Sequence, residues 1–171
     1  VRKMELCAAR WEEFDLDGAV WHLPEERSKN GDPIDIPLPS PAVEWLRELH
    51  TFSCNSAWVL PARKMQNRMI PHIQESTLPV ALAKVRAEMP DVPNFTIHDF
   101  RRTARTHLAA LGVDPVVAER CLNHCIKGVE GIYNRHQYFD ERKAALAQWA
   151  DLLVALESGK DYNVTPLRRA N

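Results

Sequence analysis

The sequence has 171 residues, of which 45% are hydrophobic and 26% are charged, a composition typical of a single globular domain. Its 22 Lys and Arg residues against 23 Asp and Glu residues give a formal net charge of −1, which excludes a globally basic nucleic-acid binder but leaves room for a locally basic face. Six glycines exclude a collagen-like repeat, and the absence of an apolar run of about 18 residues argues against a membrane-spanning helix.

The N-terminal part of the chain predicts a short helix followed by a small antiparallel sheet. Residues 3–9 have the pattern of a helix end, and residues 10–38 that of β-structure. Two turn signals, Asp17-Gly18 and Asn30-Gly31, divide this β-region, and apolar residues alternate with polar ones over residues 34–38.

The next part predicts helices joined by irregular segments. Ser40 is expected to cap a helix whose first residue is Pro41. Residues 51–76 show no regular pattern, and a further helix is expected near residues 78–88.

A longer helix is predicted to begin after Thr96, which forms a short capping box with Asp99. Gly112 suits the position just after the end of this helix, and Asp114-Pro115 begins the next one. The apolar stripe of the helix that begins after Thr96 is expected to comprise Phe100, Ala104, Leu108 and Leu111.

The last part predicts a glycine-containing loop at residues 126–131, a helix from about Asp140 to Leu156, and a mobile tail over residues 158–171. The expected fold class is therefore mainly α with a small antiparallel β-sheet (α+β), built on a single core.

The segment TIHDFRRTARTHLAALG, residues 96–112, has the features of an anion site. His98 and Arg101 are three residues apart on one helix, so their side chains point the same way. Both lie near the helix N-terminus, where free N–H groups and the helix dipole favour a phosphate. The alternative is a solvated basic face with His98 as a capping residue.

A second segment, residues 122–146, contains His124 and, nine residues later, Tyr133. A tyrosine can attack phosphorus if cationic neighbours stabilise its phenolate, because its ordinary pKa is about 10. The alternatives are a half-buried structural tyrosine and a nucleophile at Tyr138.

Two further cations stand out near the N-terminus. Arg2 lies three residues before Glu5 on the first helix, and Lys29 precedes the Asn30-Gly31 turn at a hairpin tip. The alternatives are a surface ion pair of small energetic value for Arg2 and an exposed edge-strand charge for Lys29.

The four cysteines form no CxxC pair, so we expect no disulfide framework and a reducing, cytoplasmic location. Cys121, His124 and Cys125 could face one side of a helix as soft ligands, as in a small metal-dependent nuclease. A fourth ligand is not evident nearby, so we expect no metal.

The order of these residues resembles the catalytic domain of the tyrosine recombinase family, and most closely that of phage and genomic-island integrases. The chain contains, in this order, an Arg before a sheet, a Lys on a hairpin, a His-x-x-Arg helix, a later His and then a Tyr. Three segments carry the resemblance, which covers about residues 1–150: VRKMELCAARWEEFDLDGAVW, TIHDFRRTARTHLAALG and LNHCIKGVEGIYNRHQYFDERKAAL.

The resemblance implies a role for each residue. Tyr133 would attack a DNA phosphodiester, form a 3′-phosphotyrosyl bond and release a 5′-hydroxyl. Arg2 and Arg101 would hold the non-bridging oxygens of the phosphate, and Lys29 would protonate the leaving 5′-oxygen. His98 would help to accept the proton of the tyrosine, and His124 would donate a hydrogen bond to the scissile phosphate. No metal, ATP or other cofactor would be needed, and a non-catalytic DNA-binding module derived from an integrase is the alternative.

The resemblance implies that the partner is double-stranded DNA at attachment sites and that the protein acts in the bacterial cytoplasm at the nucleoid. It also implies a tetramer on DNA, whereas we expect the isolated domain to be a monomer. The catalytic domain would span residues 1–157. The chain has no signal peptide and does not begin with Met, so we expect a longer protein with a preceding DNA-binding domain. We expect DNA contacts from five basic residues: Arg63, Lys64, Arg68, Arg102 and Arg105. The alternative is that these residues form only a solvated surface.

Overall fold

A small antiparallel sheet packs beside a set of helices in the computed structural model, which describes residues 1–53, 55–63, 70–124, 136–160 and 162. The sheet has the strand order β1-β2-β3 and follows helix α1. Their bounds are Lys3–Cys7 for α1, Phe14–Asp15 for β1, Val20–Leu23 for β2 and Ile34–Pro37 for β3. The further helices are α2 (Ser40–Phe52), α3 (Thr77–Ala87), α4 (Ile97–Ala110), α5 (Pro115–Cys121) and α6 (Phe139–Glu157).

The central strand β2 buries one face, as the period of two along a strand requires. Trp21 and Leu23 are buried, whereas His22 between them is exposed and bonds Asp35 of β3 at 2.7 Å. Trp21 lies opposite Phe14 of β1, and their rings stack with centroids 4.9 Å apart. The sheet therefore has a defined inner face.

The expectation of β-structure throughout residues 10–38 is partly wrong. Trp11–Glu13 and Glu25–Arg27 are short 3₁₀ turns. Glu25 and Glu26 are weak strand formers, and Pro24 lacks the N–H that a strand ladder would use. Both turn signals do lie between strands. At the first, a Cβ on Gly18 would meet the Asp15 carboxylate at 2.3 Å, so a larger residue there would require the exposed Asp15 side chain to move.

The helix boundaries follow their caps, with one shift. Thr96 donates from its backbone N and its hydroxyl to Asp99 at 2.9 and 2.7 Å, and Asp114 accepts from the backbone N of Val116 at 2.8 Å. Ser40 is not the cap that we expected: it is the first residue of α2, and Pro39 with its extended ψ of 155° occupies the cap position. This ψ is far from the helical value of about −42°, so Pro39 lies outside the helix and α2 begins at Ser40.

The buried side chains of the described residues form two clusters, so the expected single core is wrong. The first cluster joins α4, α5 and α6 and comprises Leu108, Leu111, Val113, Val117, Ala118 and Ala145. The second lies under the sheet and comprises Ala9, Trp21, Leu23 and Val59. Helix α6 also packs against β3 and α2, which brings the two clusters side by side.

Phe100 does not belong to the buried stripe predicted for α4. It is 52% exposed and meets Phe95 edge-on at 5.6 Å, because it lies about two turns before Leu108, where the stripe enters the core. The predicted loop at 126–131 and most of the predicted tail lie outside the described residues, although Tyr162 donates to the carbonyl of Gln148 at 3.3 Å. The described helices include none long and apolar enough to cross a membrane.

Candidate active site

One cavity of about 650 Å³ opens where α1, the loop before β3, the N-terminal turn of α4 and the end of α5 meet. Five of the six residues predicted for catalysis line it, and they come from four separate parts of the chain: Arg2, Lys29, His98, Arg101 and His124. The sixth, Tyr133, lies outside the described residues, as does Cys125. The predicted residues therefore bring two guanidiniums, one ammonium and two imidazoles to the cavity. Its lining also includes the cations Lys3 and Arg27 and three carboxylates, those of Glu5, Glu26 and Glu75.

Arg2 occupies the cap position of α1 and is held from three sides. The Glu5 carboxylate accepts from the backbone N of Arg2 at 2.6 Å and from its Nη1 at 3.1 Å. Nη2 donates to Asn30 Oδ1 and to the carbonyl of Asn123, both at 2.9 Å. Because the Glu5 side chain is only 2% exposed, the alternative of a surface ion pair is wrong.

Glu5 is ionised at this position despite its burial. Burial alone would raise the pKa of Glu5, but hydrogen bonds from Arg2 and from the backbone N of Lys29 outweigh it and hold the pKa below its usual range. The Lys29 contact, at 3.4 Å, also fixes the loop that carries the lysine side chain. Lys29 itself is exposed and faces the cavity.

Arg27 anchors the same loop to α1. Its guanidinium donates to the carbonyls of Ala8 and Glu5 and forms an ion pair with the buried Glu13 at 2.8 Å. Glu13 also accepts from Trp21 Nε1 at 2.9 Å, which ties the network to the sheet. The position of Lys29 thus depends on buried polar contacts several residues away.

Arg101 projects from α4 between the chain start and the end of α5. Nη1 donates to the carbonyl of Val1 at 2.6 Å, and Nη2 to the carbonyl of Leu122 at 2.6 Å. Nη2 also lies 2.9 Å from Nε2 of His124. Burial and the neighbouring Arg2 guanidinium lower the pKa of Arg101, because both disfavour its positive charge.

His124 follows α5 through a residue with left-handed backbone, Asn123, whose φ is 53°. Its Nδ1 lies 2.6 Å from Glu119 Oε2, and the other oxygen of Glu119 accepts from Arg105 Nε at 2.7 Å. The histidine is therefore fixed at both ring nitrogens, by Glu119 on one side and Arg101 on the other.

His98 is the second residue of α4 and lines the cavity with an exposed side chain. It does not cap the helix, because Thr96 and Asp99 do so. Tyr138, the rival nucleophile, packs against the α4–α5–α6 cluster and is not among the described residues that line the cavity.

The structure describes three of the five residues expected to contact DNA, and their role stays a prediction. Arg63 lines a separate cavity of about 390 Å³ beside α3, and Arg102 pairs with Asp99 at 3.3 Å on an exposed surface. Arg105 is not on an open basic face but in an ion pair with Glu119. Lys64 and Arg68 lie outside the described residues.

No group of three metal-ligating side chains occurs within the described ranges. Cys121, one of the soft ligands considered above, has a thiol whose pKa burial raises to about 11. A protonated thiol is a poor ligand and a poor nucleophile at neutral pH.

Sequence reasoning missed the polar residues that hold this site together. Glu5 was interpreted only as half of a surface pair, and Asn30 and Glu119 were not singled out. Glu119 lies five residues before His124, a spacing that brings the two together only because α5 ends between them. No sequence signal marks Asn30 beyond its turn propensity.

Comparisons with known proteins add an independent finding. The sequence matches the phage integrase family over residues 1–139. It is 31% identical over 159 residues to prophage integrase IntA and 32% over 167 residues to prophage integrase IntZ, both of Escherichia coli K12. It is 29% identical over 170 residues to the integrase of Enterobacteria phage P4. These alignments cover 92%, 97% and 90% of this chain but only 37%, 40% and 37% of the relatives.

Proposed function

Because this chain belongs to the phage integrase family, we propose that it carries the catalytic part of a site-specific DNA recombinase. The observation that supports the proposal most is the convergence of five predicted residues, from four parts of the chain, on one cavity. The relatives named as integrases are consistent with it.

The cationic side chains that line the cavity suit a phosphodiester. Phosphoryl transfer places negative charge on the equatorial oxygens, and preorganised cations stabilise it. Each guanidinium has five N–H donors, of which three contact protein acceptors among the described residues in both Arg2 and Arg101. The remaining two on each are available to phosphate oxygens. The exposed Lys29 and His98 are left for proton transfer.

In the proposed reaction the phenolic oxygen of Tyr133 attacks phosphorus, and the bond from phosphorus to the 5′-oxygen breaks. The product is a 3′-phosphotyrosyl ester, the 5′-oxygen takes a proton from Lys29, and His98 helps to accept the phenolic proton. Attack by the 5′-hydroxyl of another strand reverses these steps and completes strand exchange. The ester conserves the bond energy, so no metal or ATP is required.

The partner in this proposal is a DNA duplex at an attachment site, with further contacts from a longer protein. The net charge of −1 gives the chain no overall excess of cations to attract DNA phosphates, so this part alone should bind DNA weakly. We also propose that it acts as a tetramer on DNA and is a monomer when free.

The experiment is a trap for the covalent ester. Purified protein is incubated with a library of nicked duplexes of randomised sequence, in which the short freed strand diffuses away, and DNA that stays attached in SDS is recovered and sequenced. Wild type should retain specific DNA, Tyr133→Phe should retain none, and Tyr138→Phe should behave as wild type, because only Tyr133 is the nucleophile.

Two other outcomes would contradict different parts of the proposal. If Tyr133→Phe still forms the adduct and Tyr138→Phe does not, the nucleophile is misassigned. If wild type selects specific DNA without any covalent attachment, the domain is a binding module and the proposed activity is wrong.

A further inference from the structure

The carboxylate behind His124 has no role in the reaction described above, and its geometry assigns one. We propose that Glu119 is a positioning residue: it fixes the tautomer and orientation of His124 so that Nε2 faces Arg101 and the cavity. The inference deepens the proposed function and rests on it for its catalytic consequence, whereas its structural part stands on the contacts alone.

The tautomer follows from the donors around the ring. A guanidinium has N–H donors and no acceptor, so the contact of 2.9 Å between Arg101 Nη2 and His124 Nε2 requires a lone pair on Nε2. In the neutral ring the single proton is then on Nδ1. Nδ1 lies 2.6 Å from Glu119 Oε2, which accepts a hydrogen bond from the Nδ1–H group.

Glu119 is itself held in place. Arg105 Nε donates to Oε1 of Glu119 at 2.7 Å. This bond, together with the bond from His124, outweighs the effect of burial and holds the pKa of Glu119 below its usual range. The backbone N of His124 also donates to the backbone carbonyl of Glu119 at 3.0 Å. The two residues are thus joined at two points, once through their backbones and once through their side chains.

Loss of Glu119 should therefore misplace the histidine. A neutral imidazole without an acceptor at Nδ1 can move its proton to Nε2, where two donors, His124 and Arg101, would face each other. The ring would turn away from Arg101, and the phosphate would lose a partner even though no residue that touches it had changed. Histidines that bind metals depend in the same way on a carboxylate at the far nitrogen.

The first measurement is the protonation of the His124 ring by nitrogen-15 NMR of the protein without DNA, with His124→Gln to assign the signals. In wild type at neutral pH we expect a proton-bearing Nδ1 and a bare Nε2. In Glu119→Ala we expect a mixture of tautomers. Glu44→Gln, a change at an exposed carboxylate of α2, is the matched control and should leave the signals unchanged.

The second measurement is the rate of covalent attachment to the DNA recovered above. Glu119→Ala should slow it about tenfold or more, by analogy with carboxylates that orient metal-bound histidines. Glu119→Gln keeps one oxygen acceptor and should lie between Ala and wild type. DNA affinity should change little, which separates positioning from binding.

The outcomes separate this inference from the proposed function. A proton on Nε2 in wild type, or an attachment rate in Glu119→Ala equal to that of wild type, overturns the positioning role. Absence of any attachment by wild type overturns the proposed function, while the tautomer in wild type still decides the structural part. Because that measurement does not use Glu119→Ala, it holds even if this variant is unstable.

Discussion

At the scale of single residues, the site depends on buried polar side chains whose charge is set by their neighbours. Glu5 is the clearest case: its carboxylate lies beneath Arg2 and accepts from two backbone N–H groups. A carboxylate that is stabilised in this way contributes free energy of folding only while it is ionised.

The first prediction concerns the pH dependence of this contribution. Since the pKa of Glu5 is depressed in the folded state, its stabilisation is present above the unfolded pKa of about 4.3 and is lost as the pH falls through the lower folded value. Glu5→Gln should destabilise the protein by about 2 kcal/mol at pH 7, the value of hydrogen bonds to a charged group. The difference from wild type should shrink steadily below pH 4.

Urea unfolding at several pH values measures this difference. Glu12→Gln, at a carboxylate 67% exposed, is the control and should change stability by a few tenths of a kcal/mol at most. A difference for Glu5→Gln that stays constant from pH 7 to pH 3 would mean that the carboxylate charge contributes nothing.

The sequence predicts the cations of the site better than the groups that hold them. Arg2, Lys29 and Arg101 could be found because their order along the chain is distinctive. Glu5 and Glu119 could not, because carboxylates occur on most exposed helix faces. Their burial and their long-range partners arise only from the packing of separate elements.

At the scale of elements, local signals fix the helix ends that carry the site. The cap at Thr96 orients α4 so that His98 and Arg101 face the cavity. Gly112 ends the same helix with a φ of 76°, and Val113 N then donates to the carbonyl of Leu108 at 3.0 Å. These features were predicted because their chemistry lies within a few residues.

The second prediction tests this helix end. Gly112→Ala places a Cβ on left-handed backbone and should destabilise the protein by about 1–2 kcal/mol. Gly112→Asn should cost less, because asparagine tolerates this conformation. The midpoints of thermal unfolding should therefore rank wild type, Asn and Ala in descending order, and equal midpoints for Ala and wild type would show that the turn relaxes without strain.

Elements that depend on distant contacts were predicted less well. The turn at Trp11–Glu13 lies where the backbone N of Trp11 bonds the carbonyl of Ala57, a contact that no local pattern announces. The turn at Glu25–Arg27 likewise carries Arg27 onto α1 and Glu13. Both replace the strand that alternation alone suggested.

At the scale of the whole molecule, the candidate active site lies at the junction of the two hydrophobic clusters. Arg2 and Lys29 belong to the side of the sheet, and Arg101 and His124 to the side of α4 and α5. Asn30 joins the two sides: its Oδ1 accepts from Arg2 Nη2 at 2.9 Å, and its Nδ2 donates to the carbonyl of Asn123 at 2.8 Å. Arg2 Nη2 also donates directly to that carbonyl at 2.9 Å, so the amide and the guanidinium together set the distance between Arg2 and the residue before His124.

The last prediction is that Asn30→Ala loosens this junction. The variant loses hydrogen bonds in a partly buried place and should be less stable than wild type by about 1–3 kcal/mol. Native-state hydrogen exchange should quicken at both sides of the junction, near Arg2 and near Asn123, because the amide restrains both. Asn94→Ala, at an exposed asparagine, is the control. Unchanged exchange in Asn30→Ala would mean that the remaining contacts, among them the bond from Arg2 to the carbonyl of Asn123 and the packing of α6 on β3, hold the two sides together without the amide.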